Sequence, residues 1–353
     1  MVMNINNYLE NKQIFAVIFL VLLSNTMTMG RYLPRGGWIS ILLTLAAIPL
    51  YGIILRINEQ EQDLVRASFS VFGKGVGTFF ALLLCAAAVI SSVFSLYQFI
   101  DFTKNLSMND TSVFLIGAAM MLSVFFIRSI TELSRWSSVV VYIVILFLAF
   151  SLCMTIPDWD LGNLLPVSFA PEPGGVYWFC VCFSDLFFVL AQFSHRRGYR
   201  SAFSATVWST LLLALIFVRN IALLGYRLSS LLPYPAYTAS GLITLGSFFQ
   251  RGEALISVPF VLCDLLKISV FILFAKNSLA AVSKKLDRKG TAIGLSALVF
   301  AAGSVLSQYA ISFFRVKIVV AVVLIAFVLL LAAARLVRAA IRRRPGTAAA
   351  DSG

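Results

Sequence analysis

Few ionisable residues stand inside the apolar stretches of this chain, and those few carry what chemistry it has. Asp185 is the sharpest, in the middle of Phe183–Ser184–Asp185–Leu186–Phe187 with apolar flanks on both sides. A carboxylate at membrane depth costs roughly 2.5–3.5 kcal/mol on insertion scales, so it is expected to be paired, protonated or facing water. Such a group is a candidate proton carrier; a purely structural hydrogen bond is the alternative. Asp264 and Lys267 are close enough in sequence to share one helical face, where mutual neutralisation is the simplest account. A different signal lies at Ser24–Asn25–Thr26 and Gly30, where polar residues interrupt a run that is apolar through Leu23. A helix broken there leaves backbone N–H groups free for an anion and C=O groups free for a cation. The competing reading is that Ser, Asn and Thr hold neighbouring helices together. Arg219–Asn220 lie late in their segment, where an arginine can snorkel to the boundary.

Other chemistries lack their residues. One histidine and a Cys180/Cys182 pair of unsuitable spacing do not make a metal site, and Cys85, Cys153 and Cys263, inside apolar segments, behave as small hydrophobes. No nucleophile–base pair, phosphate loop or redox motif occurs, so neither an enzyme nor a bound cofactor is expected.

The elements that position these groups are helices of membrane-spanning length. A span needs roughly 20 apolar residues, and windows of that size recur about ten times. They fall at 13–30, 37–56, 76–100, 112–128, 136–156, 175–194, 201–225, 254–275, 290–310 and 317–340. With 60% hydrophobic residues and a mean hydropathy of +0.93, the chain reads as a single polytopic membrane domain over 1–345 with a short tail at 346–353. Three joins are more than turns. Residues 57–75 suit an amphipathic helix at the interface, ending at Gly73 and Gly75. Residues 157–174 are Pro-rich and irregular, and 226–253 suit short helices capping the outside face. Five spans lie in 1–156 and five in 157–341, so the second half would sit inverted relative to the first, as in many secondary transporters.

The net charge of +13 is unevenly placed. With the N-terminus inside, the inner joins and tail hold most of the Lys and Arg, including Arg196, Arg197, Lys284, Lys285 and Arg342–Arg344. The outer joins hold only Arg31, Arg35, Lys104, Arg227, Arg251, Arg315 and Lys317. This positive-inside bias places both termini in the cytoplasm. The basic tail follows a span directly and is expected to meet anionic lipid headgroups rather than a nucleic acid.

Several short motifs, in order along the chain, resemble the spore-germination permeases, the membrane B-subunits of nutrient germinant receptors. They are Asn25–Thr26–Met27 leading to Gly30 and Leu33–Pro34, Gly37–Trp38–Ile39, and Asn163–Leu164–Leu165–Pro166–Val167. Asp185 stands where that family keeps an acidic residue, and Arg251–Gly252–Glu253 is similar to its Arg-x-Glu before the eighth helix. Ser184–Asp185 departs from the family's Gly/Glu-type pattern, and Arg31 and Tyr32 replace small residues. The resemblance implies a ten-helix, five-plus-five inverted-repeat bundle of the amino acid–polyamine–organocation transporter type, with broken first and sixth helices. It implies a site between those helices, built from Ser24, Asn25, Thr26, Gly30, Ser184 and Asp185. Asp185, Glu253, Asp264 and Lys267 are the groups expected to couple protons or serve structure. It further implies a small nutrient ligand such as an amino acid, A-type and C-type receptor subunits as partners, and residence in the inner membrane of a bacterial spore. An autonomous proton-coupled amino-acid transporter is the other reading.

Overall fold

The structure, a computed structural model, describes residues 11–27, 33, 37–61, 63–105, 117–122, 129–165, 173–193, 198–243, 252–309 and 314–342. Every regular element among them is helical. Seven helices are long and apolar enough to cross a bilayer, and two shorter apolar ones are Asn11–Met27 and Gly174–Leu190. Those two are the first and sixth spans, where interruptions are expected. Of the fourth span only 117–122 are described, and they are helical.

The first span opens with α1, Asn11–Leu23, apolar on every side and buried at Ile14 and Ala16–Leu23. A helix without a polar face belongs in the interior of a bundle. Its α-helical course stops at Leu23, and Ser24–Met27 continue as a tighter 3-10 turn. The cause is local: Ser24 Oγ donates to the Val21 carbonyl at 2.7 Å and Thr26 Oγ1 to that of Leu23. Hydroxyls that bond nearby carbonyls compete with regular helix, which is why these residues mark the break.

The second span is α2 (Gly37–Leu42), a 3-10 stretch and α3 (Ile48–Glu61). Then follow α4 (Leu64–Asn105), α5 (Ile130–Thr155), α6 (Pro173–Leu190), α7 (Gly198–Leu231), α8 (Pro235–Gly241), α9 (Ala254–Val282), α10 (Lys289–Leu306) and α11 (Phe314–Arg342). α1 packs against α5, α6, α7 and α9, and α9 lies along α4 and α5. The central pair is therefore α1 and α9, with α6 against both.

Two glycines set bends. Gly73, at φ 79°, separates the amphipathic start of α4 from its long apolar run. Leu64, Val65, Ala67, Ser68 and Val71 of that start are buried, so it is tucked against the bundle as well as amphipathic. Asn58, expected in the same interfacial join, instead belongs to the buried end of α3. Gly225, at φ 72°, breaks α7. The Ala222 carbonyl, cut off from its normal partner by that break, accepts from Asn163 Nδ2 at 3.0 Å and from the Asp160 N–H at 3.2 Å. That fixes the irregular join, whose described residues include 3-10 turns at Ile156–Asp158 and Leu161–Leu164.

The join 226–253, expected to hold short capping helices, contains α8. Tyr234 donates its hydroxyl to Asp101 Oδ2 at 2.6 Å, and Phe102 meets the rings of Tyr234 and Tyr237 edge-on. α8 also contacts the 3-10 turn Ser24–Met27, so it covers the break in the first span.

Candidate functional site

The break in the first span faces a buried charge cluster assembled from four elements. Asp185 lies on α6 between two ammonium groups: Lys267 Nζ of α9 is 2.8 Å from Oδ2, and Lys317 Nζ of α11 is 3.1 Å from Oδ1. Asn25 bridges the closer pair, Asp185 and Lys267. Its Nδ2 donates to Asp185 Oδ2 at 3.1 Å while its Oδ1 accepts from Lys267 Nζ at 2.9 Å. Both ends of the amide are thereby assigned, because a reversed amide would set donor against ammonium and acceptor against carboxylate. Lys317 also lies over the Phe94 ring, 4.9 Å from its centroid, an arrangement that stabilises a desolvated cation. Asn25, Asp185, Lys267 and Lys317 are all at most 1% exposed, so water does not screen these contacts.

Three expectations change here. Lys267 forms its ion pair with Asp185 rather than with Asp264; helix spacing allows the i, i+3 pair but does not exclude a partner from another helix. Asp264 is buried one turn away, and its Oδ2 has no hydrogen-bond partner. Lys317 is not a residue of an outer join: the first turns of α11 enter the core and deliver it to Asp185. A lysine at the edge of an apolar run looks like a boundary residue, and only the packing of α11 on α6 shows otherwise. Arg219 does not snorkel; it is 0% exposed. Its guanidinium donates to Ser151 Oγ at 2.7 Å, Asn220 Oδ1 at 2.9 Å and the Ala236 carbonyl at 3.1 Å, tying α7 to α5 and to the cap helix α8.

The remaining expected residues are placed as follows. Ser24 and Thr26 are buried in the 3-10 turn with their hydroxyls turned to local carbonyls. Ser184 Oγ donates to the Val181 carbonyl at 2.9 Å, within α6. α6 is continuous through Ser184–Asp185 and gives way to a turn only after Leu190. The carbonyls of Leu190 and Phe193 at that end accept from Asn58 Nδ2 at 2.7 and 3.0 Å. Glu253 immediately precedes α9, without a side-chain cap hydrogen bond, and lies beside Gly241 of α8. It stands roughly 20 Å along the helix from Lys267, and so apart from the cluster. Gly30 lies outside the described residues.

Unused hydrogen-bonding capacity surrounds the cluster. Tyr51 stacks on Phe183 with ring centroids 5.8 Å apart, and its buried hydroxyl has no partner. Trp178 Nε1 of α6 and the hydroxyls of Ser91 and Ser95 on α4 are in the same condition. Buried polar groups are nearly always paired, so orphans on the elements around a charge cluster mark places for water or a ligand. Among the described residues no group of His, Cys, Asp and Glu could hold a metal ion.

Comparison with known proteins fits this arrangement. The crystal structure of MhsT in complex with L-phenylalanine is 18% identical, with 93% of this chain and 88% of that one covered at a TM-score of 0.60. That likeness establishes the fold, an all-α membrane transporter bundle. Curated proteins give no match. The family model described as spore germination protein matches residues 8–310. The match takes in every site residue named above except Lys317, and with it the broken first helix and the acidic sixth. The chain belongs to the spore germination protein family, a family of permeases.

Proposed function

We propose that this protein is a permease-like membrane subunit that binds a small nutrient, an amino acid, at the break in its first helix, and that binding there triggers spore germination. One observation carries the reading: a broken helix presents Asn25 to a sealed cluster holding charges of both signs. With Asp264, the cluster contains two ammoniums and two carboxylates. A zwitterion entering it adds no net charge. Its carboxylate can take over a lysine, and its ammonium a carboxylate. The amino acid bound to the MhsT fold supports a ligand of this class. In this reading the A-type and C-type receptor subunits are partners, the two halves 1–156 and 157–341 are inverted repeats, and the protein resides in the spore inner membrane with both termini in the cytoplasm.

Thermal-shift titration of the purified protein with amino acids, sugars and nucleosides tests the ligand class. An amino acid should raise the unfolding midpoint in a saturable way, and Asn25→Leu should abolish that rise with normal protein levels. An unchanged dose–response in Asn25→Leu would remove the site from the first-helix break. Uptake of labelled amino acid by proteoliposomes containing this chain alone would favour the autonomous transporter instead.

A further inference from the structure

Away from the central cluster, a cleft of about 270 Å³ opens where α1 and α5 begin, lined by Lys12, Gln13, Arg135, Ser138, Val141 and Tyr142. Two cations from different helices face one space, and neither Lys12 nor Arg135 has an ion-pair partner among the described residues. No carboxylate is among the lining residues; Glu132, the closest acid along α5, is not one of them. Cations converging, with no carboxylate among the described lining residues, on a cavity of this size fit a phosphate group. The cleft also continues into something a free phosphate would not use. Along α5 from Arg135, Val139, Tyr142 and Leu146 form an exposed stripe at helical spacing, 64%, 70% and 67% exposed. A polar, cationic recess leading into an apolar stripe on a membrane-spanning helix has the outline of an amphiphile.

We propose that this cleft binds the phosphodiester headgroup of an anionic phospholipid, with Lys12 and Arg135 as its cationic ligands and the stripe of α5 against an acyl chain. On the orientation proposed above, the lipid is in the inner leaflet. The headgroup bridges the start of α1 to the start of α5, and α1 is the helix that breaks at Ser24. Occupancy therefore holds the inner half of the first span against its neighbour and opposes any swing of that half away from the bundle. The assignment does not depend on the nutrient site.

The test uses full-length protein in neutral detergent, titrated with dioleoylphosphatidylglycerol, dioleoylphosphatidylcholine or inorganic phosphate. Bound lipid is counted by native mass spectrometry, and the unfolding midpoint is followed in parallel. The anionic lipid should bind saturably, and Lys12→Gln and Arg135→Gln should each weaken it about fivefold, as loss of one cation near an anionic surface predicts. Lys289→Gln, at the start of α10, should leave it unchanged. Equal binding in wild type and both cleft variants would overturn the site. Stabilisation by phosphate equal to that by the lipid, or equal binding of the zwitterionic lipid, would overturn the lipid assignment. Either single variant that fails to fold is replaced by Lys12→Arg and Arg135→Lys, which keep the charge and should keep the binding; loss of binding in both would count against the proposal.

Discussion

Replacing Asp185 by Asn keeps the shape of the side chain but takes from two buried ammoniums their shared ion-pair partner. Breaking a buried pair from one side costs about 3–5 kcal/mol, so Asp185→Asn should be strongly destabilised in detergent unfolding. From the sequence alone, Asn at this position reads as a near-neutral exchange if the role is structural; two lysines make it the opposite. Lys317→Met should cost less, about 1.5–3 kcal/mol for one charged hydrogen bond, because Asp185 keeps Lys267. The double variant Asp185→Asn/Lys317→Met should be more stable than Asp185→Asn alone. If the two losses simply add, the contact between these residues is not energetically coupled. Asn25, Asp185 and Lys267 were legible because each is polar inside an apolar run. Their meeting was not, since spacing along a helix reports neighbours on that helix alone. The pairing of Lys267 with a residue on α6, and the arrival of Lys317 from α11, are facts of packing.

At the scale of elements, the bends make separable predictions. Gly73→Ala puts a Cβ on a left-handed backbone, which costs about 1–2 kcal/mol, and no neighbour lies within 4 Å to add a clash. Gly75→Ala meets equally open space on ordinary backbone. It should be neutral or slightly stabilising, since Ala is the better helix former. Comparing their unfolding midpoints isolates backbone conformation from packing. Arg219 gives a second test. Arg219→Gln removes most of the bonds joining α7 to Ser151 and to the Ala236 carbonyl. Hydrogen exchange over Pro235–Gly241 should then accelerate while the long spans stay protected. Unchanged exchange there would mean the other contacts, Tyr234–Asp101 and the Phe102 rings among them, hold the cap without Arg219. The break at Ser24 was readable because Ser, Asn and Thr compete for helix carbonyls. The end of α6 after Leu190 was not, because Asn58, which satisfies its carbonyls, sits in a segment that reads as interfacial.

For the whole molecule, hydropathy was sufficient to find the bundle, since lipid leaves a spanning backbone few alternatives to helix. Order and packing of the spans were beyond it. Lys317 no longer counts among the cations of the joins, because it is buried in the core. A cysteine at Asp160 should react with an impermeant reagent in intact cells, and one at Ala348 only after permeabilisation; the reverse pattern would invert the topology. Lys317 has one more consequence, in the order of synthesis. Asp185 emerges from the ribosome long before either of its cations: Lys267 follows two spans later, and Lys317 only with α11. The sixth helix therefore carries its carboxylate without a cation until Lys267 follows, and the centre is complete only when α11 brings Lys317. A chain ended just before α11 should insert its earlier spans yet be cleared by membrane proteases, because it never receives the residue that closes its charge centre.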